Sequence, residues 1–318
     1  MGPLTERVDV GGEYTGGSPV VVVAGSASRD LTPDDPRGWR LGGGVTYGAL
    51  ALARLGVAVA ALVGVDPAAS NAWELALLRE AGVAVVLARL DHGPVFENVE
   101  RPGGRRQVCH DAGLPLVAEA LPGAWREAPG WLLAPVAAEL PATWAEVPPA
   151  GARVALGWQG LLRQMTGGAP VRRRAPRADP LLARADLVGV SMTDLPPSAP
   201  LAAWAGWIGR DRPDPAELVM TAGQHGGVAF HVVGGRLRAA RHYRPAAAGQ
   251  VVDATGAGDV FLAAWLAGRL AIDRACRPPA HAACLAFAAA AASLVVEGVG
   301  LPAVPTLGQV RLRLGSHR

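Results

Sequence analysis

The stretch from Val251 to Leu270 places two aspartates around a glycine-rich turn, where carboxylates and backbone amides could act together. It reads VVDATGAGDVFLAAWLAGRL: a short apolar run, Asp253, a turn of small residues, then apolar residues at helical spacing. If a strand ends at Val252 and a helix begins after the turn, four N–H groups have no helical partner: those of Gly256, Ala257, Gly258 and Asp259. Such a helix start attracts an anion, and small side chains let a phosphate reach the backbone.

Asp259 follows this turn and allows two interpretations. In the first turn of a helix, a carboxylate interacts favourably with the helix dipole, so Asp259 could be an ordinary capping residue. Beside an anion-binding turn it could instead be a general base that takes a proton from a hydroxyl attacking a phosphoryl group. Spacing alone leaves both interpretations open.

The composition excludes several classes of protein. The 318 residues are 50% hydrophobic, enough for a substantial core. All 30 basic residues are arginines, so a Walker P-loop, a lysine Schiff base and the strand lysine of protein kinases are impossible. A net charge of +3 without a basic stripe predicts no nucleic-acid partner.

Cysteines, histidines and apolar runs give further limits. The three cysteines form no CxxC pair, which disfavours a disulfide framework or a structural zinc site. His281 and Cys284 could share a helix face, where packing is favoured over metal ligation. The N-terminus lacks an apolar signal core, and no unbroken apolar run reaches membrane length. We therefore predict a cytoplasmic protein with no membrane partner.

The order of apolar segments predicts an α/β fold. Strand-like runs and helical segments alternate over the first 90 residues, as in a parallel sheet covered on both faces. Residues 94–111 differ and read as a polar hairpin around Pro102-Gly103-Gly104. Further strands, with helices between them, are predicted at 131–136, 153–158, 185–191 and 217–223. They are followed by a β-meander at 226–245 and a long helix at 281–298.

Several motifs together resemble one family. DATGAGDVF is similar to the C-terminal signature of the ribokinase (PfkB-type) carbohydrate kinases, and LGGGVTYGALALARLG resembles their N-terminal Gly-Gly motif. LVMTAGQHGGVAF resembles their nucleotide-loop segment. The match runs in order over about 19–310. It implies a ribokinase-like three-layer α/β/α domain over 1–318, with a mostly parallel central sheet and a small β lid at about 26–42 and 92–111.

The resemblance implies roles around the opening turn. Asp259 matches the catalytic base, and Gly256, Ala257 and Gly258 match the anion hole for the transferring phosphoryl group. Asp253 and Thr255 match positions near a monovalent-cation (K+) site. Capping of the turn is an equally good interpretation of Asp253.

The resemblance also implies an acceptor site. Asp30 stands five residues after Gly25, like the family's substrate-binding aspartate, and Gly43 and Gly44 match acceptor-binding positions. Tyr47 departs from the pattern, because many sugar kinases have asparagine there. The hairpin at 94–111 matches the lid that excludes water from the acceptor site. In the lid, Phe96, Glu97 and Asn98 could touch the substrate, and a purely structural role, with Phe96 packing the lid, is the competing interpretation. GWQGLLR is similar to a Gln-Gly-x-x-Arg element of a subgroup. Its Gln159 and Arg163 could contact the acceptor or a phosphate, or serve only as loop scaffolding.

The implied donor site binds ATP and Mg2+. Ser191 and Asp194, in the sequence SMTD, stand where the family often has Asn-x-x-Glu, and Asp194 could hold magnesium through water. A plain helix N-cap is a competing interpretation of this cluster. Thr221, Gly223 and Gly226 match the nucleotide loop, and the helix at 281–292 should lie near adenine.

The combined expectation is an ATP-dependent kinase. It would phosphorylate a hydroxyl of a small sugar or polyol, with a cyclitol such as inositol as one acceptor, and it could form a homodimer. The alternatives are a nucleoside kinase of the same family and a non-catalytic nucleotide- or sugar-binding regulator on this fold. A dinucleotide-binding oxidoreductase is disfavoured, because Phe261 stands where a GxGxxG motif needs a small residue.

Overall fold

The computed structural model describes residues 7–8, 19–99, 106–196, 201–212, 214–275 and 281–315; for 7, 8, 202 and 272–275 it describes the backbone only. In these ranges the strands are β1 (Arg7–Val8), β2 (Val21–Ser26), β3 (Ser28–Leu31), β4 (Trp39–Gly42), β5 (Val59–Val65), β6 (Ala84–Arg89), β7 (Pro94–Val99), β8 (Arg106–Ala112), β9 (Gly130–Leu133), β10 (Arg153–Gly157), β11 (Arg163–Gln164), β12 (Ala169–Pro170), β13 (Arg172–Arg173), β14 (Leu187–Ser191), β15 (Ala216–Thr221), β16 (Gly227–Val233) and β17 (Arg236–Tyr243). The α-helices are α1 (Gly44–Arg54), α2 (Glu74–Glu80), α3 (Pro180–Arg184), α4 (Leu201–Ala205), α5 (Ala257–Ala275), α6 (His281–Val295) and α7 (Leu307–Gly315).

A ten-stranded sheet forms the centre of the molecule, in the order β1-β6-β5-β2-β9-β10-β14-β15-β16-β17. The strands from β6 to β15 run parallel, while β1, β16 and β17 add antiparallel edges. Every residue of β2 and β5 is buried, as expected for parallel strands covered on both faces. The predicted α/β architecture with a mostly parallel sheet is confirmed.

A second sheet, in the order β12-β8-β7-β3-β4, stands apart from the central one. It combines the hairpin β3–β4 with the hairpin β7–β8, through the parallel pair β3–β7. These strands come from the two segments assigned to a lid. Strand β12 was not anticipated. The turn predicted at Pro102-Gly103-Gly104 lies outside the described residues.

The two faces of the central sheet are covered differently. One face packs against α1, α2, α5, α6 and α7. The other is covered mainly by short helices and 3-10 turns, with buried indoles filling the volume: Trp131, Trp144 and Trp158 are each at most 1% exposed. The prediction of helices between all the later strands is therefore wrong for the β9–β10 connection, which contains only a 3-10 turn at Ala142–Glu146. Within the described residues, no helix combines the length and the apolar character that crossing a bilayer requires.

Candidate active site

The turn between Asp253 and Asp259 begins α5 and lies at the edge of the sheet. Oδ1 of Asp253 accepts a hydrogen bond from the Thr255 N–H at 2.9 Å, so the capping interpretation of Asp253 has a direct contact. The carbonyl of Gly256 then accepts the first helical bond, from the Val260 N–H at 2.9 Å. Gly256 has a φ of +79°, a left-handed conformation that favours glycine.

The strand predicted to end at Val251-Val252 is absent, and that prediction is wrong. Both valines lie outside any strand, with exposures of 65% and 49%. The turn is held instead from the end of α6, because the Val296 carbonyl accepts the N–H groups of Val252 and Asp253 at 2.7 and 3.2 Å. A hydrogen bond to a distant segment replaces the sheet ladder that the apolar pair suggested.

The amides of the turn differ in availability. The Ala257 N–H donates to the Ala254 carbonyl at 3.3 Å, so the expectation that all four amides are open is wrong for Ala257. Among the described residues, no protein acceptor receives a hydrogen bond from the N–H of Gly256 or Gly258. A methyl group on Gly258 would meet no atom within 4 Å. An anion site at a helix start requires N–H groups without a protein acceptor and space for the anion. The amides of Gly256 and Gly258 and the space next to Gly258 meet these requirements.

The ring of Tyr47 packs against Gly256 in this turn. Its side chain is buried, at 2% exposure, and a methyl group on Gly256 would lie within 2.7 Å of ring atom Cγ. Burial, together with the charges of Asp30, Asp253 and Asp259, raises the pKa of the Tyr47 hydroxyl far above its usual value. The phenol is therefore neutral and packs beneath the turn. Direct contact of Tyr47 with the acceptor stays a prediction.

The glycines at 42 and 44 lie under two carboxylates. A methyl group on Gly42 would lie 3.0 Å from Cγ of Asp30, and one on Gly44 would lie 2.8 Å from Oδ1 of Asp259. Between them, Gly43 has a φ of +99° and is the N-cap of α1. The glycine motif thus leaves room for Asp30 and Asp259 to approach the same short piece of backbone from β3 and α5.

Burial and three neighbouring charged side chains set the pKa of Asp259. Burial raises the pKa of Asp259 to about 6, with Arg163 opposing the shift and Asp194 and Asp30 adding to it. A carboxyl group with such a pKa is mostly ionised at pH 7, yet it accepts a proton more readily than a surface aspartate does. Its neighbours are the residues assigned to the acceptor and metal sites.

Arg163 connects this centre to the second sheet. One of its nitrogens donates to Oδ1 of Asp194 at 3.2 Å, and another donates to Oε1 of Gln107 at 2.8 Å. Gln159 donates to the other carboxylate oxygen of Asp194 at 3.0 Å. Gln107 in turn donates to Oδ1 of Asn98 at 3.2 Å. The structure thus brings Gln159, Arg163, Asp194 and Asn98 into one network.

The other residues assigned to the lid have structural partners. Phe96 is 3% exposed and packs within the sheet, as its competing interpretation held. Glu97 contacts His110 at 2.9 Å. Asp30 lies opposite Phe96 in the parallel pair β3–β7, and Ser28 Oγ donates to its Oδ1 at 3.0 Å. Of this group, Asp30 is the one directed at the glycine motif.

The donor-side residues lie at the ends of neighbouring parallel strands. Ser191 and Thr221 are register partners at the carboxyl ends of β14 and β15, where α/β sheets bind ligands. The Ser191 hydroxyl caps the turn that follows by accepting the Thr193 N–H at 3.2 Å. Gly223 and Gly226, with φ of +56° and +80°, form a tight loop closed by the Ala222 N–H donating to the Gly226 carbonyl. Their contact with a nucleotide stays a prediction.

Sequence reasoning missed several residues that position the site. Glu139 accepts the N–H groups of Ser26, Val136 and Ala137, and burial raises its pKa. It fixes the loop after β9 against the end of β2, next to Gly44. Gln107 was missed because its link to Arg163 spans 56 positions in the sequence. The one local signal was the first glycine of LGGG, at position 42.

Comparison with known proteins gives one family match and a set of solved structures with the same fold. Residues 199–306 match the family model described as "pfkB family carbohydrate kinase". No match to a curated protein sequence was found. Among solved structures, a fructokinase from Xylella fastidiosa with bound ATP has a TM-score of 0.70 and 20% identity, over 94% of this chain and 99% of that one.

Two further solved structures extend the comparison. The ribokinase of Arabidopsis thaliana, complexed with ribose and ATP, has a TM-score of 0.63 and 21% identity over 93% of this chain and 99% of that one. A pyrophosphate-dependent kinase of the ribokinase family, complexed with a pyrophosphate analog and myo-inositol, has a TM-score of 0.66 and 20% identity over 92% and 99%. At these identities the likeness establishes the fold.

The comparisons establish the fold of this chain and a match of part of its sequence to one family. The resemblance of this chain to the ribokinase (PfkB-type) carbohydrate kinases is confirmed, by the family match over 199–306 and by the ribokinase fold of the described chain.

Proposed function

We propose that this protein is a kinase that transfers a phosphoryl group from ATP to a hydroxyl of a small, neutral sugar or polyol, with cyclitols such as inositol included. The observation that carries the proposal is the position of Asp259. Its Oδ1 lies over Gly44, its pKa is raised to about 6, and it stands beside the open amides of Gly256 and Gly258.

The acceptor would be held between Asp30 and Asp259. A carboxylate can accept hydrogen bonds from two adjacent hydroxyls, and Gly42 and Gly44 leave space for a polyol near the backbone. Asp259 would take the proton of the attacking hydroxyl as the new O–P bond forms. The amides of Gly256 and Gly258 would stabilise the negative charge on the transferring group.

A neutral acceptor fits the charges of the site. Asp30, Asp194 and Asp259 contribute three carboxylates, and Arg163 is the cation that acts most strongly on Asp259. Arg163 is already paired with Asp194. A sugar phosphate would bring further negative charge toward these carboxylates. Hydroxyl groups, in contrast, can donate hydrogen bonds to them.

The three carboxylates of the site would also favour bound cations. Asp194 and Asp30 both raise the pKa of Asp259, and a nearby cation would relieve this repulsion. Asp194 would hold Mg2+ through water, and Asp253 and Thr255 would line a K+ site. When bound, Mg2+ neutralises charge on the donor phosphates.

Closure of the second sheet would protect the reaction from water. The hydrogen bonds from Asn98 through Gln107 to Arg163 connect its strands β7 and β8 to the centre. We infer that β3, β4, β7 and β8 form the lid of a single ribokinase-like domain. Water excluded by the lid cannot compete with the acceptor for the phosphoryl group.

The identity of donor and acceptor is tested by a substrate panel. Purified protein is incubated with Mg2+, K+ and either ATP or pyrophosphate, because both donor classes occur among the solved neighbours. The acceptors are myo-inositol, ribose, fructose, fructose 6-phosphate and a nucleoside. We expect acceptor-dependent ADP release with a neutral polyol or sugar.

Each alternative has its own outcome in this panel. Turnover only with the nucleoside would replace the acceptor class with that of a nucleoside kinase. Turnover only with pyrophosphate would replace the donor. Ligand binding by calorimetry without any turnover would identify a non-catalytic regulator and refute the kinase.

A further inference from the structure

Three side chains with metal-binding atoms converge away from the catalytic turn. Glu217 is the second residue of β15, His231 lies directly opposite it in β16, and His281 is the first residue of α6. One ligand atom from each lies within 4.8 Å of the others. The carboxylate is 4% exposed, and the His281 and His231 side chains are 13% and 39% exposed. Solvent therefore reaches the cluster past His231.

The distances in the cluster are close to those of a metal site. Nδ1 of His281 is 3.4 Å from Oε1 of Glu217, and Nδ1 of His231 is 3.9 Å from the same oxygen. Zinc ligands lie about 2.0–2.2 Å from the ion, so tetrahedral ligand atoms are about 3.4 Å apart. The pair formed by His281 and Glu217 already has this separation. His231 lies about 0.5 Å too far from Glu217. All three ligand atoms lie within 4.8 Å of one another, so an ion would draw His231 inward.

The two imidazoles lie side by side next to the Glu217 carboxylate. Their rings lie 4.8 Å apart at an angle of 43°. Neutral imidazole is the form that ligates zinc, copper or nickel.

Arg269 is the residue that most directly opposes cation binding at this cluster. Its Nη2 lies 3.3 Å from Oε1 of Glu217, and both Arg269 and Arg241 act against positive charge on the two histidines. An ion pair with Arg269 accounts for the buried carboxylate. It does not account for the two imidazoles whose nitrogens approach the same oxygen.

We propose that Glu217, His231 and His281 bind one divalent transition-metal ion of the zinc class, with water completing its coordination and Arg269 competing for the carboxylate. Two nitrogen ligands select against Mg2+ and Ca2+, which prefer oxygen. Arg269 is 20% exposed and can turn toward solvent when the ion binds.

The site is separate from the phosphoryl-transfer centre. Glu217 lies four residues before Thr221 in β15, which corresponds to roughly 13 Å along the strand, away from its carboxyl end. The ion would fasten the start of α6 to the hairpin β15–β16. This role does not depend on the proposed kinase activity.

The test measures Zn2+ affinity of the full chain, without a histidine tag, by isothermal titration calorimetry; Co2+ absorption reports tetrahedral coordination. His231→Gln should weaken Zn2+ binding on the order of 100-fold, since loss of a direct ligand costs at least as much as loss of a supporting group. His92→Gln is the matched control, because His92 is 66% exposed and outside the cluster. Arg269→Gln should tighten binding by about tenfold, since one repelling charge is removed.

The outcomes decide the proposal. Thermal melting without metal checks that each variant is folded. Zn2+ bound with equal affinity by the His231→Gln variant and the wild type would overturn the proposal, since the ion would then be held elsewhere, for example by the active-site carboxylates. Weaker binding after Arg269→Gln would also overturn it, because Arg269 would then support the ion instead of opposing it.

Discussion

The acceptor side and the donor side of the candidate active site are built in different ways. On the acceptor side, each important side chain packs against a glycine: Asp30 on Gly42, Asp259 on Gly44, and Tyr47 on Gly256. On the donor side, Ser191 and Thr221 make short-range contacts with neighbouring backbone and side chains, and residues 223–225 are exposed. The acceptor side is therefore fixed by packing before any ligand binds.

This difference predicts how substitutions divide between the two sides. A change on the acceptor side alters the geometry of the catalytic turn, so it should act mainly on kcat. A change on the donor side removes at most a ligand contact, so it should act mainly on the KM of the donor. The predictions below test this division, from the largest expected effect to the smallest.

Asp259→Asn should lower kcat about 10²- to 10⁴-fold, the contribution typical of a general base. Donor binding should be retained, because asparagine keeps the shape of the side chain. Steady-state kinetics and nucleotide calorimetry measure the two effects. Asp91→Asn, at an exposed position, is the control. An unchanged kcat in the Asp259→Asn variant would refute the base assignment.

Gly256→Ala should destabilise the protein and inactivate it. A left-handed φ and overpacking against Tyr47 together cost about 2 to 5 kcal/mol. Gly56→Ala, with a φ of +88° and open space, isolates the backbone cost of about 1 to 2 kcal/mol.

Gly258→Ala is the second control for this prediction, since its methyl group meets no atom within 4 Å. It should fold normally. Urea unfolding measures all three variants. Equal stability losses at 256 and 56 would show that Tyr47 does not support the turn.

The pH dependence should follow the raised pKa of Asp259. Because the ionised form is the active base, kcat/KM should fall about tenfold per pH unit below pH 6. Arg163→Gln removes the charge that opposes the shift, so the midpoint should move to higher pH. Arg172→Gln, at an exposed arginine, should leave it in place. A profile of kcat/KM between pH 4.5 and 8 checks both variants.

The same pKa has a consequence for stability. The folded pKa of Asp259 is raised above its unfolded value, so its contribution is favourable below the unfolded pKa and is lost as the pH rises through about 6. Asp259→Asn should therefore be more stable than the wild type at pH 8, with a gap that closes by about pH 4. A larger gap at pH 4 would contradict the sign of the shift.

Tyr47→Phe should retain kcat within a few-fold, because the ring that supports Gly256 remains. Tyr47→Asn removes that ring and should lower kcat by about tenfold or more through misplacement of the turn. The split between kcat and acceptor KM distinguishes support from direct binding. If both variants change the KM of the acceptor alone, Tyr47 contacts the acceptor.

The smallest effects are expected on the donor side. Ser191→Ala and Thr221→Val should each raise the KM of the donor about two- to tenfold, the range of one hydrogen bond, with kcat nearly unchanged. Titration of the donor at saturating acceptor measures this. A large fall in kcat in either variant would contradict the expectation that donor-side changes act mainly on the KM of the donor.

Local patterns predicted the central elements well. The valine-rich run in β2 and the glycine-initiated helix α1 both lie where periodicity placed them. Two predictions were wrong because contacts with distant segments determined the local structure. Val251 and Val252 look like the end of a strand, yet they are exposed, and the Val296 carbonyl accepts the N–H groups of Val252 and Asp253. The segment between β9 and β10 forms a 3-10 turn packed by Trp144.

The sequence by itself determined the parallel α/β core, the helix whose first turn carries Asp259, and most of the glycines that a close approach requires. These follow from short-range rules: apolar runs, helix capping and the absence of a Cβ atom. Only the tertiary structure decided which side chain lies on which glycine, how Arg163 joins Asp194 to Gln107, and why the pKa of Asp259 is raised. Those properties depend on burial and on charges brought together from distant positions, and no local pattern of residues encodes such distances.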